Sequence, residues 1–380
     1  MANFINRLSI ENFKSIQKLE LNCKRINVFI GHPNTGKSNI LEALTLYELP
    51  ALLKLFDNNP NTLSDHLQRK VLRYENLIDL FYFKNRNNPV KVISETGIIN
   101  FSYNSFFSSY SLTTAADNNQ FSQLEDLLEK GGILNDDFFK ELQKNNIRPV
   151  SPSGIVSPSL HTFGLDNKPI VSHSYPFYTA VRRYEFERYT TSKDFITPFP
   201  SGSLITPFGT NIISMLESHN DLRQIVTEYF REYNLDLVID RASHNAVLQR
   251  RVNDFIDTIP FTSVADTLQR IIFHLAAIYS NKQKILLFEE PEAHSFPKYI
   301  SILAEAIAGD EHNQYFITTH SPYILTTLFE NKGISKDLAV HLVGYKDHQT
   351  VCKTLSEEQL ADMYNAGTTL FFNLETYLND

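Results

Sequence analysis

The sequence predicts an α/β fold with a mixed, mainly parallel core sheet, an antiparallel β lobe and a helical insertion. An apolar run that ends at Ile30 is followed by a glycine-bearing loop and by apolar side chains at helical spacing in Asn39–Leu46. Two later apolar runs, which end at Phe288 and Ile317, predict buried strands. Leu8–Ile16 alternates apolar and polar residues, as a half-buried strand does.

The composition limits the classes of function. The 380 residues carry a formal net charge of −8, which argues against a surface that is basic all over but does not exclude a local basic groove. The two cysteines, Cys23 and Cys352, provide neither a disulfide framework nor a zinc site and favour a reducing compartment. Residues 1–13 lack the apolar segment of a signal peptide, and no window approaches roughly 18 apolar residues, so we expect a cytoplasmic protein.

We predict three segments along the chain. Residues 1–103 form the first part of the main domain, with the glycine-bearing loop and a β lobe that includes a hairpin or meander over Val90–Tyr103. Residues 104–176 form an insertion of helices and loops, because Phe121–Asn145 carries an apolar stripe at helical spacing. Residues 177–380 complete the main domain.

The third segment contains several elements with clear periodicity. Asn211–Tyr233 predicts one amphipathic helix, and Thr267–Tyr279 predicts a second. Leu235–Asp240 and Ala246–Arg251 predict strands between them. We expect a final helix through Asn373–Leu378.

Residues 31–38 fit the pattern Gly-x4-Gly-Lys-Ser of a phosphate-binding loop. In such a loop the backbone N–H groups and the positive end of the next helix face the phosphates. We expect Lys37 to reach the β- and γ-phosphates and the Ser38 hydroxyl to hold Mg²⁺. The candidate binding residues of the loop are Gly31, Asn34, Thr35, Gly36, Lys37, Ser38 and Asn39.

Two adjacent carboxylates, Glu289 and Glu290, follow the strand that ends at Phe288. Ligands bind at the carboxyl ends of strands in an open α/β sheet. Neighbouring strand residues point to opposite sides, so the two acids should have different roles. We expect Glu289 to bind Mg²⁺ and Glu290 to orient and deprotonate an attacking water. The alternative is an acidic turn that ends a core strand.

A third strand ends at His320, and a helix follows with Ser321 as N-cap and Pro322 as its first residue. At the carboxyl end of a strand, His320 is placed to donate a hydrogen bond to the γ-phosphate. The alternative is a histidine that is bonded within its own turn.

An arginine-rich stretch, Phe177–Tyr189, has β-like sequence and contains Arg182, Arg183 and Arg188. One interpretation is a solvated strand face. The other is a cluster that contacts phosphates or a partner.

Four motifs in this order resemble ABC-type ATPases related to SMC and RecF proteins: Asn12-Phe13-Lys14-Ser15, the loop 31–38, the acidic motif Glu289–His294, and Thr319–Pro322. The acidic motif is especially similar to the OLD (overcoming lysogenisation defect) group. The resemblance covers about residues 1–50 and 205–345. It implies a P-loop ABC-type ATPase head that uses ATP and Mg²⁺, with Lys14 as a further nucleotide-binding candidate.

The resemblance also implies a dimer, because in such families two heads clamp ATP between the loop of one and a serine-containing signature of the other. The matching place here is Thr262–Arg270, which departs from the usual Leu-Ser-Gly-Gly form and has no glycine. Ser263 and Asp266 either contact the γ-phosphate in trans or cap the helix that follows.

OLD nucleases carry a C-terminal Toprim nuclease domain, whereas we expect two strands and a helix after His320 and no fused nuclease. The resemblance therefore implies an ATP hydrolase that closes and opens a homodimer. We expect it to act as the switch subunit of a defence or DNA-maintenance system with a separate effector protein and no membrane. The alternatives are a RecF-like DNA-repair ATPase, with DNA as a partner, and a non-hydrolysing scaffold that uses ATP as a structural ligand.

Overall fold

The computed structural model describes residues 4–55, 67–95, 97–105, 109–115, 159–163, 169–174, 180–190, 202–240, 243, 245–331 and 334–366. The described helices are α1 (Lys37–Thr45), α2 (Leu49–Leu55), α3 (Ile212–Ser218), α4 (Asn220–Arg231), α5 (Asp266–Ser280), α6 (Pro297–Gly309), α7 (Pro322–Glu330) and α8 (Glu357–Ala366). Short 3-10 or π turns are Leu67–Val71, Leu77–Leu80, Tyr82–Lys84, Phe261–Ser263 and Ile334–Lys336. Among the described residues, no helix is both long and apolar enough to cross a bilayer.

The core sheet confirms the predicted mainly parallel arrangement. Its strands in spatial order are β16 (Gln349–Thr354), β15 (Leu338–Lys346), β3 (Ile26–Ile30), β14 (Gln314–Thr318), β13 (Ile285–Glu289) and β9 (Val181–Tyr184). Every neighbouring pair is parallel except β15 and β16. Strands β3, β13 and β14 are buried almost throughout, which explains why their sequences are apolar runs without alternation.

Alternate residues of these strands contribute to two hydrophobic cores, one on each face of the sheet. Val28, Phe288 and Ile317 pack in the core that contains helices α5, α6 and α7. Phe29 and Leu287 pack in the core that contains α1. Because both faces are covered, the carboxyl ends of β3, β14 and β13 are left to form a binding edge.

An antiparallel sheet of seven described strands forms the predicted β lobe. Its spatial order is β2 (Ile16–Asn22), β1 (Arg7–Phe13), β4 (Val90–Ser94), β5 (Gly97–Asn104), β6 (Ser109–Ala115), β7 (Ser159–Phe163) and β8 (Pro169–Ser174). The β4–β5 pair confirms the hairpin predicted over Val90–Tyr103. Strands β6, β7 and β8 lie within residues 104–176, so the described ends of this segment are β structure rather than a helical insertion. The predicted helices of Phe121–Asn145 lie outside the described residues.

A small antiparallel sheet confirms the two strands predicted after residue 234: β10 (Asp236–Asp240), β11 (Asn245–Val252) and β12 (Phe255–Pro260). The single helix predicted over Asn211–Tyr233 is wrong, because the chain is extended at His219 and divides into α3 and α4. Polar residues on either side of the break favour helix ends over helix interiors. The final helix predicted at Asn373–Leu378 lies outside the described residues.

Candidate nucleotide-binding site

Three loops meet at the binding edge of the core sheet, because β3, β14 and β13 are adjacent and parallel. The phosphate loop follows β3, His320 follows β14, and the acid pair ends β13. Together they line one open cavity of about 780 Å³. The predicted site residues that line it are Lys14, Asn34, Thr35, Gly36, Lys37, Ser38, Asn39, Glu289, Glu290 and His320.

The phosphate loop takes the shape that its glycines allow. Gly36 has φ +96° and leads directly into α1, whose first turn contains no acidic residue, so the positive end of the helix is not neutralised locally. Thr350 on β16 supports the loop from behind: its hydroxyl donates to the Thr35 carbonyl at 2.9 Å and lies 2.6 Å from the Ser15 hydroxyl. Asn39 donates to the same Ser15 hydroxyl at 2.6 Å.

Lys37 is the charged residue at the centre of the loop. Its amine donates to the main-chain carbonyls of Gly31 and His32 at 3.0 and 2.8 Å. Burial lowers the pKa of Lys37, and the charges of Glu290 and Glu289 oppose that shift. The amine is therefore within electrostatic range of both acids, as the sequence predicted.

Glu289 makes three polar interactions. Its carboxylate binds the Arg183 guanidinium, lies 3.0 Å from the Arg73 guanidinium and is near enough to the Ser38 hydroxyl for that group to help lower its pKa. Burial by itself would raise the pKa of Glu289, but the two arginine charges and the Ser38 hydroxyl outweigh burial and lower it. The side chain is therefore an anion that lies against the hydroxyl at the start of α1.

The contact between Ser38 and Glu289 fits a magnesium site. Both groups offer oxygen, and Mg²⁺ is commonly held by one or two protein oxygens together with substrate phosphates and water. Within the described ranges, no three or more histidine, cysteine, aspartate or glutamate side chains form a group that could hold a metal ion.

Glu290 comes directly after the last residue of β13 and has a different partner from Glu289. Its backbone has φ +41°, and its N–H donates to the Thr318 carbonyl at 3.0 Å. One carboxylate oxygen lies 3.2 Å from Nε2 of His320. Burial and the Lys37 charge lower the pKa of His320, whereas Glu290 raises it, with a net decrease. Both side chains are partly exposed to the cavity, so a water molecule can reach them.

Glu292 is a site residue that the sequence analysis did not assign. It is buried, and its Oε1 atom accepts hydrogen bonds from the Thr319 hydroxyl at 2.6 Å and the His320 N–H at 2.9 Å. It therefore connects the turn after β13 to the end of β14. The signal was present in Glu-Glu-Pro-Glu, but nothing in the sequence shows which strand end the last acid contacts.

The arginine-rich stretch matches neither of its two interpretations, because its central arginine is buried and paired with acids of the same chain. Arg183 is completely buried, so the solvated-face interpretation is wrong for this residue. Its guanidinium binds Glu185 and Glu289, and therefore supports the acid end of β13 from within the protein. Arg182 is only partly buried and lies 3.5 Å from Glu48.

Arg73 and Glu42 form an ion pair at the cavity that the sequence analysis did not predict. Glu42 on α1 is almost fully buried and accepts from Nε of Arg73 at 2.7 Å. Lys14 binds the other oxygen of Glu42 and donates to the Arg73 carbonyl at 3.0 Å. Lys14 therefore lines the cavity as predicted, although its amine is already bonded to protein groups. No periodic or motif signal marks Arg73.

Ser263 and Asp266 do not line the cavity of their own chain. Ser263 faces a separate apolar cavity of about 530 Å³ beside Phe230 and Tyr299. Helix α5 begins after Ala265 without a side-chain cap, so the predicted capping role is not observed for either residue. Asp266 lies in the first turn, where its carboxylate is 3.9 Å from Nε of Arg270.

Several solved structures are similar to the chain. One SMC head, bound to the C-winged helix domain of ScpA, is 13% identical, with 94% of this chain and 99% of that chain covered and a TM-score of 0.48. The SMC head domain from Thermotoga maritima is 8% identical, with 93% and 99% covered and a TM-score of 0.40. A Pyrococcus furiosus SMC head bound to the C-terminal domain of ScpA is 11% identical, with 95% and 98% covered and a TM-score of 0.42.

Sequence comparison gives two further matches. An "ATP/GTP phosphatase" of Helicobacter pylori (strain ATCC 700392 / 26695) is 20% identical over 393 aligned residues, which cover 97% of this chain and 100% of the relative. A family model described as "AAA domain, putative AbiEii toxin, Type IV TA system" matches residues 26–326, which include the phosphate loop, the acid pair and His320. Because this match spans most of the chain, the protein belongs to that family of P-loop ATPase domains.

Proposed function

We propose that the protein hydrolyses ATP to ADP and inorganic phosphate with Mg²⁺. The observation that carries this proposal is the convergence of Lys37, the Ser38–Glu289 contact and the Glu290–His320 pair on one cavity. A buried cation, a metal-binding oxygen pair and an accessible carboxylate are the parts that phosphoryl transfer requires. The match to a phosphatase of ATP and GTP supports the same reaction.

Each side chain has one role in this reaction. The loop N–H groups and Lys37 hold the phosphates, and Lys37 must exchange its bonds to the Gly31 and His32 carbonyls for phosphate oxygens. Glu290 accepts a proton from water, whose oxygen attacks the γ-phosphorus as the bond to the β–γ bridging oxygen breaks. Nε2 of His320 lies 3.2 Å from Glu290 in the nucleotide-free protein, and with nucleotide bound His320 donates to the γ-phosphate. Catalysis depends mainly on positioning and on neutralising charge.

Ser38 and Glu289 are the residues that would hold Mg²⁺, which supplies charge neutralisation to the β- and γ-phosphates when it is bound. Arg183 keeps Glu289 ionised and fixed in orientation. Because Arg183 is buried and also paired with Glu185, it can do so without moving.

We further propose that the ATP-loaded form is a homodimer, with an OLD-like role as a switch for a separate effector protein in defence or DNA maintenance. Ser263 and Asp266 support the dimer, because they lie outside the cavity of their own chain and remain available to a second one. The family description names a toxin–antitoxin system, which supports a defence role. We expect the cytoplasm as the compartment.

The test is Glu290→Gln, which keeps the size of the side chain but removes its basicity. We expect phosphate release to fall by about 10²–10⁴-fold, the range for loss of a general base. Nucleotide affinity should change little, and the ATP-bound dimer should last longer. Glu311→Gln, at an exposed acid just before the amino end of β14 and therefore away from the carboxyl ends that form the cavity, is the matched control.

The same assay with and without DNA separates the alternatives. DNA-stimulated phosphate release would favour the RecF-like role, and salt-sensitive DNA binding would accompany it. ATP binding without phosphate release in the wild type would favour the scaffold. Unchanged turnover in the Glu290 variant contradicts the catalytic assignment.

A further inference from the structure

Glu289 lies between two guanidinium groups that differ in their freedom to move. Arg183 binds one carboxylate oxygen, and Arg73 lies 3.0 Å from the other. The Ser38 hydroxyl is also near enough to this carboxylate to help lower its pKa. The oxygens that suit a divalent cation are therefore already occupied by cationic groups of the protein.

Arg183 is the fixed member of the pair. It is completely buried, and its side chain also binds Glu185 through Nε at 2.8 Å. Its main-chain N–H donates to Glu48, which fixes the backbone as well. Moving Arg183 would leave two acids without their buried cation, which is costly.

Arg73 is the movable member. It is about 40% exposed and lies between two short turns rather than in a strand or a long helix. Its backbone has φ +43°, a conformation that a non-glycine residue keeps only when its surroundings require it. Its Nε and Nη2 both bind Oε1 of Glu42, and Nη2 is also the nitrogen that lies 3.0 Å from Glu289, so a small swing of the whole guanidinium can give up the Glu289 contact while the Glu42 bonds hold the side chain at the cavity.

We propose that Arg73 is a cationic placeholder for the metal: in the nucleotide-free protein its guanidinium occupies the charge position beside Glu289 and Ser38, and Mg²⁺–nucleotide displaces it. Glu42 acts as the tether that retains the displaced side chain at the cavity. This inference rests on the proposed function, because it concerns the same metal position.

The electrostatic consequence is that the metal and the nucleotide should bind cooperatively. A divalent cation alone must approach a carboxylate already paired with two arginines and is repelled by both. A triphosphate brings negative charge into the cavity and offsets that repulsion. Any such coupling is reciprocal, so the metal must also tighten nucleotide binding.

The test measures Mn²⁺ binding to the nucleotide-free protein by electron paramagnetic resonance, which reports free Mn²⁺ and needs no turnover. We expect Arg73→Gln to bind Mn²⁺ about tenfold more tightly than the wild type, because one repelling charge is gone from the first contact. Arg73→Lys keeps the positive charge, so its affinity for Mn²⁺ should remain as weak as that of the wild type. Arg270 lines the same cavity but has no recorded contact with Glu289 among the described residues. Arg270→Gln should therefore gain much less affinity for Mn²⁺.

Failure of the placeholder proposal and failure of the proposed function would give different results. Equal Mn²⁺ affinity in wild type and Arg73→Gln, or an equal gain in Arg270→Gln, overturns the placeholder. If Arg73→Gln does not fold, as judged by thermal unfolding, Arg73→Met provides the same comparison with a side chain of similar length. Failure of the wild type to bind a fluorescent ADP analogue would instead contradict the proposed function, without changing the nucleotide-free Mn²⁺ comparison.

Discussion

The main-chain N–H of His320 donates a hydrogen bond to Oε1 of Glu292 at 2.9 Å. The two residues lie in the turns that follow β14 and β13, and the same oxygen also accepts from the Thr319 hydroxyl. Glu292 therefore holds the strand end that carries His320 in place against the turn that carries Glu290. The other oxygen, Oε2, has no hydrogen-bond partner within the described residues.

This arrangement predicts different outcomes for two substitutions of Glu292. Glu292→Gln keeps an acceptor oxygen and removes a buried acid, so we expect no loss of stability and phosphate release close to the wild type at pH 7. Glu292→Ala removes the acceptor of the buried Thr319 hydroxyl and of the His320 N–H, so we expect a loss of about 1–3 kcal/mol in the free energy of unfolding. Urea unfolding and phosphate release provide the measurements, and equal losses in both variants would contradict the role of the acceptor oxygen.

The difference in stability between the wild type and Glu292→Gln should change with pH in a predictable direction. Burial raises the pKa of Glu292, so the folded protein holds this proton more tightly than the unfolded chain. The wild type should therefore gain stability relative to Glu292→Gln as pH falls through the raised pKa, and lose it as pH rises.

The phosphate loop predicts a severe effect for Gly36→Ala. A Cβ atom at this position would lie 2.0 Å from the Thr350 hydroxyl oxygen and 2.8 Å from the Ser15 hydroxyl oxygen, and φ is +96°. We expect nucleotide affinity to fall by more than about tenfold, because the loop must shift and its N–H groups leave their positions. Gly309→Ala is the control, since a Cβ there meets no atom within 4 Å. Isothermal titration with ADP measures both, and unchanged affinity in Gly36→Ala would contradict the loop geometry.

The proposed dimer predicts complementation between inactive variants. If Asp266 acts in trans, a mixture of Lys37→Ala and Asp266→Ala contains heterodimers with one intact site. We expect such a mixture to recover up to about a quarter of the wild-type phosphate release, because half of a random mixture is heterodimer and one of its two equivalent sites is complete.

The control for complementation is a mixture of Lys37→Ala and Glu290→Gln. Lys37 and Glu290 line the cavity of one chain, so no heterodimer of these variants has an intact site. Recovery in the control mixture, or none in the test mixture, would count against a role for Asp266 across the dimer.

Two buried histidines predict that the fold is sensitive to acid. Burial lowers the pKa of His274 and of His341 to about 3. The unfolded chain takes up these protons near pH 6.5, so stability is complete above that pH and is lost as pH falls below it. We expect each histidine to remove about 1 kcal/mol between pH 7 and pH 5.5.

His341→Gln tests this prediction. A glutamine can still bond Thr354, whose hydroxyl lies 2.9 Å from Nδ1 of His341. The variant should lose less stability than the wild type between the two pH values in urea unfolding. An identical pH slope would show that His341 is not one of the groups that titrate on unfolding.

The contiguous motifs were predictable because local chemistry determines them. The sequence predicted the phosphate loop between β3 and α1, and Ser321 as an N-cap, which accepts from the Tyr323 N–H. It also placed the acid pair and His320 at strand ends, and parallel pairing then brings those ends to one edge. These features depend on residues that are neighbours in the chain.

The sequence was less informative where contacts are long-range. The strands at the ends of 104–176 depend on pairing with the rest of their sheet, and the break at His219 divides a helix whose apolar pattern is continuous. Ser263 and Asp266 lie outside the cavity of their own chain, and their role in trans stays a prediction.

The sequence by itself determined the strand–loop–helix unit and the acid pair, because periodicity and short motifs fix local backbone geometry, and the resemblance of its motifs to known ATPases indicated the class of domain. Only the tertiary structure decided which charges meet those acids. Arg183 reaches Glu289 across 106 positions, and Arg73 approaches the same carboxylate from another segment. No local pattern specifies such contacts, since burial in a shared core brings these side chains together and the energy of an unpaired buried charge selects their partners.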